Sequence, residues 1–572
     1  MPRLNPFLSL ALPLILIGPV TVSAQTKAAP SNTASKANPG RRLTDSETAV
    51  RSIVQSGRLD DLRWPVFSDV RTDVDNFYRG SGYALVWSHE GKATDRAREV
   101  IDVLLQADRE GLSAEDYDGP QWAQRLAHLE SSRDQADEAG FDVALTVCAM
   151  RYISAVRVGR INPKHLQFGF DVEHKRLNLP QFLHQLLLDS TDIMEAELGE
   201  IEPPFRGYKA TREALLRYAE LAKEDDGDRL PQPPGMVFRG GPYDGIARLT
   251  RLLRLVGDLS QDALVPTDTK IYDEPLVTAV KKFQERHGLQ PSGYLTVDTV
   301  NAMNVPLSSR VEQIRLTMER YRWLRYNFPE PPVVVNLPEF RLYGFDRDGR
   351  AGLTMKVNVG DAYNFQTPVF ENSIRYLVFR PYWNVPPKIL RNEVIPDIEQ
   401  DRSYIKDNDM EVTTPDGKVV AAGVINDSVL GQLRTGRLTV RQKPGPENAL
   451  GLLKVMFPNE HHVYLHGTPE SGDMFSDDQR ALSHGCIHLE HPAEIAAWLL
   501  RDNPGWNLER AERAMHEGRD NFTVTLTKPV PILIVYGTAV VDPNGEIHFY
   551  GDIYGHDAAL EKALAKGYPY PK

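Results

Sequence analysis

The chain has 572 residues, enough for about three or four domains with sizeable cores. Its 41% hydrophobic and 25% charged residues are ordinary for soluble globular protein. The net charge of -12 offers no basic face for phosphates, which excludes nucleic acid as an expected partner.

The first 24 residues read as an export signal. Arg3 precedes an apolar run from Phe7 to Val22, and Val22-Ser23-Ala24 has the small-x-small pattern of a cleavage site. Pro13 and Pro19 interrupt the run, which is short for a hydrocarbon core of ~30 Å. Release into the periplasm is expected, with an uncleaved inner-membrane anchor as the alternative. No cysteine follows Ala24, so a lipoprotein anchor is excluded. Residues 25–45, rich in Ala, Ser, Thr, Asn and Lys, are expected to form a disordered linker.

From 46 to 244 the pattern is mainly helical. Ala97, Val100, Ile101 and Leu104 mark one helix face, stopped at Glu110-Gly111, and further helical segments are expected at 138–157, 181–199 and 210–224. Cys148 lies in the apolar run Val143–Met150 and reads as a small buried hydrophobe. Residues 245–305 form a compact three-helix unit: Leu249, Leu252, Leu253, then Leu276, Val280 and Phe283, then a short helix capped by Thr296. A linker helix within 306–330 leads through Pro331-Pro332 into Val333–Asn336, the first strand of a region spanning 331–527. Later strands, including 341–345, 353–358 and 374–379, are short and separated by turns, as in a β-sandwich. Residues 390–440 interrupt them with a polar, charged stretch with little core, placed to act as a lid or to remain a solvated loop. After 528, Pro531–Tyr536 and the Asp542-Pro543-Asn544-Gly545 turn suggest a C-terminal extension ending in a hairpin. The fold class is therefore multidomain α + β, helical first and sandwich-like later.

The chemistry concentrates near the end of that β region. Val463 and Leu465 alternate with His462, Tyr464 and His466, so His466 stands at a strand end before Gly467. In Ser483-His484-Gly485-Cys486-Ile487-His488-Leu489, the residues His484, Cys486 and His488 are expected to share one face opposite Ile487. The chain has only two cysteines, so in an oxidising compartment the one possible disulfide would consume Cys486. Cys486 is expected to be free, exposed and shifted toward thiolate by a histidine, with His466 as the base. Gly485 lets the backbone approach a ligand and leaves amides for a developing oxyanion.

These segments resemble the L,D-transpeptidase catalytic domain (YkuD-like), and three further motifs resemble it in the same order. They are Thr367-Pro368-Val369-Phe370, Trp383-Asn384-Val385-Pro386 and Gly445-Pro446-Glu447-Asn448-Ala449-Leu450-Gly451. Leu85-Val86-Trp87 and Gly111–Tyr117 resemble the helical scaffold of the larger Gram-negative members. Val277–Gln284 with Gly288-Leu289, Gly293, Leu295 and Thr299 resembles the peptidoglycan-binding module found beside many wall enzymes. One departure is His488, where the family usually has Arg or Asn; a histidine is a weaker and pH-dependent cation for a substrate carboxylate.

The resemblance implies cross-linking of peptidoglycan stem peptides in cell wall biogenesis. Cys486 would attack the third-residue carbonyl of a donor tetrapeptide, and the amine of a neighbouring stem would resolve the thioester. His466 would move the protons, the Gly467 carbonyl would orient its ring, and the Gly485 and Cys486 amides would hold the oxyanion. His484 would shape the acceptor side, and Trp383 and His488 would bind substrate. No cofactor is expected. Two rivals remain. The crowd of His461, His462, His466, His484, Cys486, His488 and His491 suits a zinc peptidase by residue type, although it follows no zinc motif, and a non-catalytic wall-binding protein would keep the scaffold alone.

Overall fold

The computed structural model describes residues 42–188, 199–265, 270–469 and 474–570. The expected export signal, most of the linker and part of the helix expected at 181–199 lie outside the described residues. Contacts divide the chain into two units, Phe328–Val535 and the remainder on either side of it.

In the helical unit, Thr44 closes a capping box with Glu47 and starts the helix Asp45–Ser56. That helix packs on Gln135–Val158, which is buried on nearly all sides. Among the described residues this is the one helix long and apolar enough to cross a membrane, yet 89% of its most apolar window lies inside the protein, as in a core helix. Cys148 sits there, 1% exposed, as expected of a packing residue. The Asp142 carboxylate on the same helix accepts from the backbone of Val86, Trp87 and Ser88 and from the Tyr78 hydroxyl. This fixes Leu85-Val86-Trp87 as core structure.

Ile246–Leu255, Glu274–Arg286 and Val297–Met303 enclose a separate apolar core that includes Leu249, Leu253, Leu276, Val280, Phe283 and Val300. Thr296 caps the third helix by accepting from the Thr299 amide at 3.1 Å, as its spacing predicts. The helix expected as a linker, Leu307–Tyr321, is no spacer. It packs on Arg206–Glu224, and its Glu319, fully buried, pairs with Arg160 and Arg322.

The second unit is built on nine strands: β1 (Val333–Asn336), β2 (Arg341–Phe345), β3 (Ala351–Gly360), β4 (Phe370–Phe379), β5 (Leu453–Met456), β6 (Leu465–His466), β7 (Ala481–Ser483), β8 (Ile487–Leu489) and β9 (Phe522–Val535). They form one mixed sheet in the order β7-β3-β8-β6-β5-β4-β9-β1-β2. β3 also pairs with β2 along Ala351–Lys356, and then with β8 and β7 further along, so the sheet closes on itself. The expected two-layer sandwich is thus realised as one closed sheet, because the ten-residue β3 is long enough to serve two sets of neighbours.

Two sequence expectations are corrected here. The stretch 390–440 is not core-poor. Leu390, Val394, Ile395, Ile398, Ile405, Met410, Val412, Leu430, Leu433 and Val440 form their own core, beneath a small sheet of Trp383–Asn384, Thr439–Gln442, Met410–Thr413 and Val419–Ala421. Charged residues dilute the helical spacing of these apolar positions, which hid a folded subdomain. The boundary expected at 528 also falls inside β9, a 14-residue strand lying between β4 and β1. Pro529 and Pro531 resemble a strand end, but a register shift between Thr525 and Val530 takes up Pro529, and Pro531 stays in the ladder opposite Ser373. The terminal hairpin is formed instead by Ala539–Val541 and Ile547–Phe549, around the expected Asp542–Gly545 turn, and belongs with the helical unit.

Candidate active site

Parallel pairing of β6 with β8 sets Leu465 opposite Ile487 and His466 opposite His488. Side chains two residues apart share a face, so Cys486 lies beside His488 and Tyr464 beside His466. The His466 and His488 rings are 4.6 Å apart, and the Tyr464 phenol lies close enough to the Cys486 sulfur for each to shift the other's ionisation. Antiparallel neighbours extend the row on both sides: Lys454 on β5 faces His466, and Asn358 on β3 faces His488.

His466 is 3% exposed, and its Nδ1 donates to the Gly467 carbonyl at 2.6 Å. A carbonyl oxygen can only accept, so the ring hydrogen is on Nδ1 and Nε2 is left as a base. Burial, followed by the neighbouring His488, holds this imidazole well below its ordinary range, and it is neutral at pH 7. Gly451 makes the arrangement fit: a side chain there would meet the Thr468 carbonyl oxygen at 2.6 Å, so glycine allows the Gly445–Gly451 loop to sit on the turn after the base.

Cys486 is a free, half-buried thiol. Burial raises it, opposed by hydrogen bonds from Tyr464 and by the Lys454 ammonium. The resting pair is therefore thiol and neutral imidazole. The exposed thiolate expected from sequence is corrected on this point, because desolvation outweighs the flanking histidines.

The backbone at the nucleophile differs from expectation as well. Gly485 has φ +103°, a conformation that favours glycine, and it breaks the alternation between His484 and Cys486. His484 consequently does not share the face of Cys486. Its half-exposed ring meets Glu393 Oε1 at 2.9 Å and stacks edge-on to Phe365, linking the catalytic loop to the inserted subdomain. The Gly485 amide donates to Ser483 Oγ at 3.1 Å, so it is occupied, while the Cys486 amide has no protein acceptor among the described residues. Of the two expected oxyanion donors, Cys486 N–H remains. The Gly485 carbonyl accepts from Thr367 Oγ1 at 2.9 Å, and that same oxygen accepts from the Gly360 amide, also at 2.9 Å. Thr367 therefore ties the nucleophile loop to β3, a role its motif did not disclose.

His488 is half-buried, with its imidazole pushed down to about 4 by burial and by His484. At neutral pH it is uncharged and does not supply the weak cation expected. Trp383 packs on the core of the inserted subdomain, and no hydrogen bond or ring contact joins it to Cys486, His466 or His488 among the described residues. The histidines around Cys486 do not converge as ligands. Among the described residues the group of three potential metal ligands within 4.8 Å of one another is Asp542, Glu546 and His548, in the terminal hairpin. Sequence reasoning missed Lys454 and Asn358. The signal for Lys454 was a lone basic residue between Leu453 and Val455, which period-two alternation turns away from the core.

Residues 331–532 match the L,D-transpeptidase catalytic domain, residues 243–303 a domain described as "Putative peptidoglycan binding domain", and residues 72–215 a scaffold domain. A Haemophilus influenzae protein named "Putative L,D-transpeptidase" is 30% identical over 231 residues, covering 40% of this chain and 45% of that relative, so the match spans less than half the relative's length. Among solved structures, an L,D-transpeptidase from Xylanimonas cellulosilytica is 13% identical, with TM-score 0.18, over 53% of this chain and 100% of its own. A fused Zn-dependent amidase/peptidase/peptidoglycan-binding protein from Clostridium acetobutylicum is 12% identical, with TM-score 0.15, over the same shares. Likenesses that weak carry no argument. Residues 331–532 are an L,D-transpeptidase catalytic domain, on a chain that also carries a scaffold domain and a peptidoglycan-binding domain.

Proposed function

We propose that this protein cross-links peptidoglycan stem peptides through an acyl-enzyme on Cys486. The observation that supports this most directly is the hydrogen bond from His466 Nδ1 to the Gly467 carbonyl, which leaves Nε2 as a neutral base on the face that carries the thiol. As Sγ attacks the carbonyl of the donor's third residue, its proton passes to His466 Nε2 and the oxyanion is held by the Cys486 amide. The imidazolium then protonates the departing D-alanine amine, leaving a thioester. An acceptor amine attacks that thioester, His466 removes the amine proton, and the sulfur leaves and is reprotonated. His484 and the subdomain it touches shape the acceptor side, and Trp383 and His488 line the approach of the stem.

The peptidoglycan-binding region retains polymer and raises its effective concentration. Export by residues 1–24 places the enzyme in the periplasm, free if the segment is cleaved and membrane-tethered if it is retained. The test is mass spectrometry of disaccharide-peptides after incubation with the enzyme and with Cys486→Ala. The expected result is cross-linked dimers with the first and none with the second; dimers with Cys486→Ala refute the mechanism.

A further inference from the structure

The row of side chains under the nucleophile contains a cation that the reaction as described does not use. Lys454 is half-buried, and among the described residues no carboxylate pairs with it. An unpaired, partly desolvated ammonium is unfavourable unless a neighbour compensates it. Its Nζ lies 3.7 Å from the centroid of the Tyr464 ring, over the face of the ring, and the register of Leu465 against Ile487 sets that tyrosine beside Cys486, whose sulfur its phenol influences. The three residues stand in a row of ammonium, phenol and thiol. Strand register builds it: Lys454 opposes His466 on one side, and Cys486 falls beside Tyr464 on the other.

We propose that Lys454 and Tyr464 together activate Cys486, the ammonium polarising the phenol so that its hydroxyl donates more strongly to the sulfur as the sulfur becomes a thiolate. The proposal rests on the reading of Cys486 as nucleophile. Tyr464 is then a catalytic residue, touching the reacting atom, and Lys454 is a positioning residue that acts through it and through the field at the sulfur. No proton leaves either group. Burial and the adjacent sulfur push the Tyr464 phenol far up, so it remains a donor, and the thiol proton goes to His466 Nε2. The linkage is reciprocal: burial lowers Lys454, and negative charge on Cys486 raises it again, so thiolate and ammonium favour each other.

The experiment is the pH profile of Cys486 alkylation by iodoacetamide in the full chain, read by intact mass, for wild type, Lys454→Met, Lys454→Arg and Tyr464→Phe. Lys454→Met keeps an unbranched side chain one atom shorter and removes the charge. It is expected to move the midpoint up by about one pH unit and to slow alkylation at pH 7 about tenfold. Lys454→Arg, which keeps the cation, should stay within about threefold of wild type, and Tyr464→Phe should shift the midpoint in the same direction as Lys454→Met. Tyr464→Phe removes one oxygen and carries the test alone if Lys454→Met does not fold. A wild-type midpoint in both Lys454→Met and Tyr464→Phe overturns the proposal, even if their melting temperatures fall, since a packing role would move stability and not the profile. Failure of the wild-type thiol to react at all instead overturns the reading of Cys486 itself.

Discussion

Replacing Gly360 by alanine tests whether the loop before the nucleophile is positioned by its contact with β3. A methyl at Gly360 would lie 1.8 Å from the Phe365 carbonyl oxygen, 2.8 Å from the Thr367 amide and 3.0 Å from the Gly485 Cα, where ordinary contact begins at 3.4 Å. The Phe365 oxygen must therefore withdraw by more than an ångström, and it is backbone, not the end of a flexible side chain. The movement cannot stay local. The Gly360 amide donates to Thr367 Oγ1, which donates to the Gly485 carbonyl, so displacement of one carries the other and shifts the Cys486 amide next in the chain. Misplacement by about 1 Å of a group in a reacting constellation costs about a hundredfold in rate. Stopped-flow acylation of Cys486 by a carbapenem, followed by intact mass, should show that loss in Gly360→Ala, with thermal unfolding of this unit lowered by only a few degrees. Acylation within about threefold of wild type would refute the coupling of β3 to the nucleophile loop.

Burial holds the His488 imidazole at about 4, so between its ordinary 6.5 and that value the unfolded chain binds the extra proton; the stability from this residue is complete above 6.5 and is lost as pH falls toward 4. In His488→Asn the fall in urea midpoint between pH 7 and pH 5 should be smaller than in wild type, and an identical fall in both would contradict the assigned burial. Asp142→Ala removes the acceptor for the Val86, Trp87 and Ser88 amides and the Tyr78 hydroxyl, and should cost about 2–4 kcal/mol by denaturant titration; a loss below about 1 kcal/mol would mean that those donors find other partners.

The elements legible from sequence were those with a clean period or a chemical signature. The three helices of residues 246–303, the Thr296 cap and the terminal turn at Asp542–Gly545 followed from spacing, and the Gly467 carbonyl as the partner of His466 followed from the resemblance. The inserted subdomain was misread because its apolar residues are diluted by charges, so that Leu390, Val394 and Ile398 are recognisable as one face only once the helical turns are seen. Strand β9 was cut at its prolines because a bulge cannot be inferred from one strand alone. At the site, alternation located Cys486 and His488 but failed for His484, since the positive φ of Gly485 resets the face. The protonation of the pair was misjudged for a different reason: sequence reports which charges are near, whereas burial, which dominates here, exists only after folding. Lys454 was overlooked because its partner is a ring just ahead of the neighbouring strand.

The most direct test of the central claim is trapping the acyl-enzyme. Incubation of the full chain with a disaccharide-tetrapeptide donor and no acceptor amine, followed by quenching and peptide mapping, should place the tripeptide adduct on Cys486 as an amine-labile thioester, with one equivalent of D-alanine released. An adduct on Ser483, or D-alanine release that persists in Cys486→Ala, would contradict it.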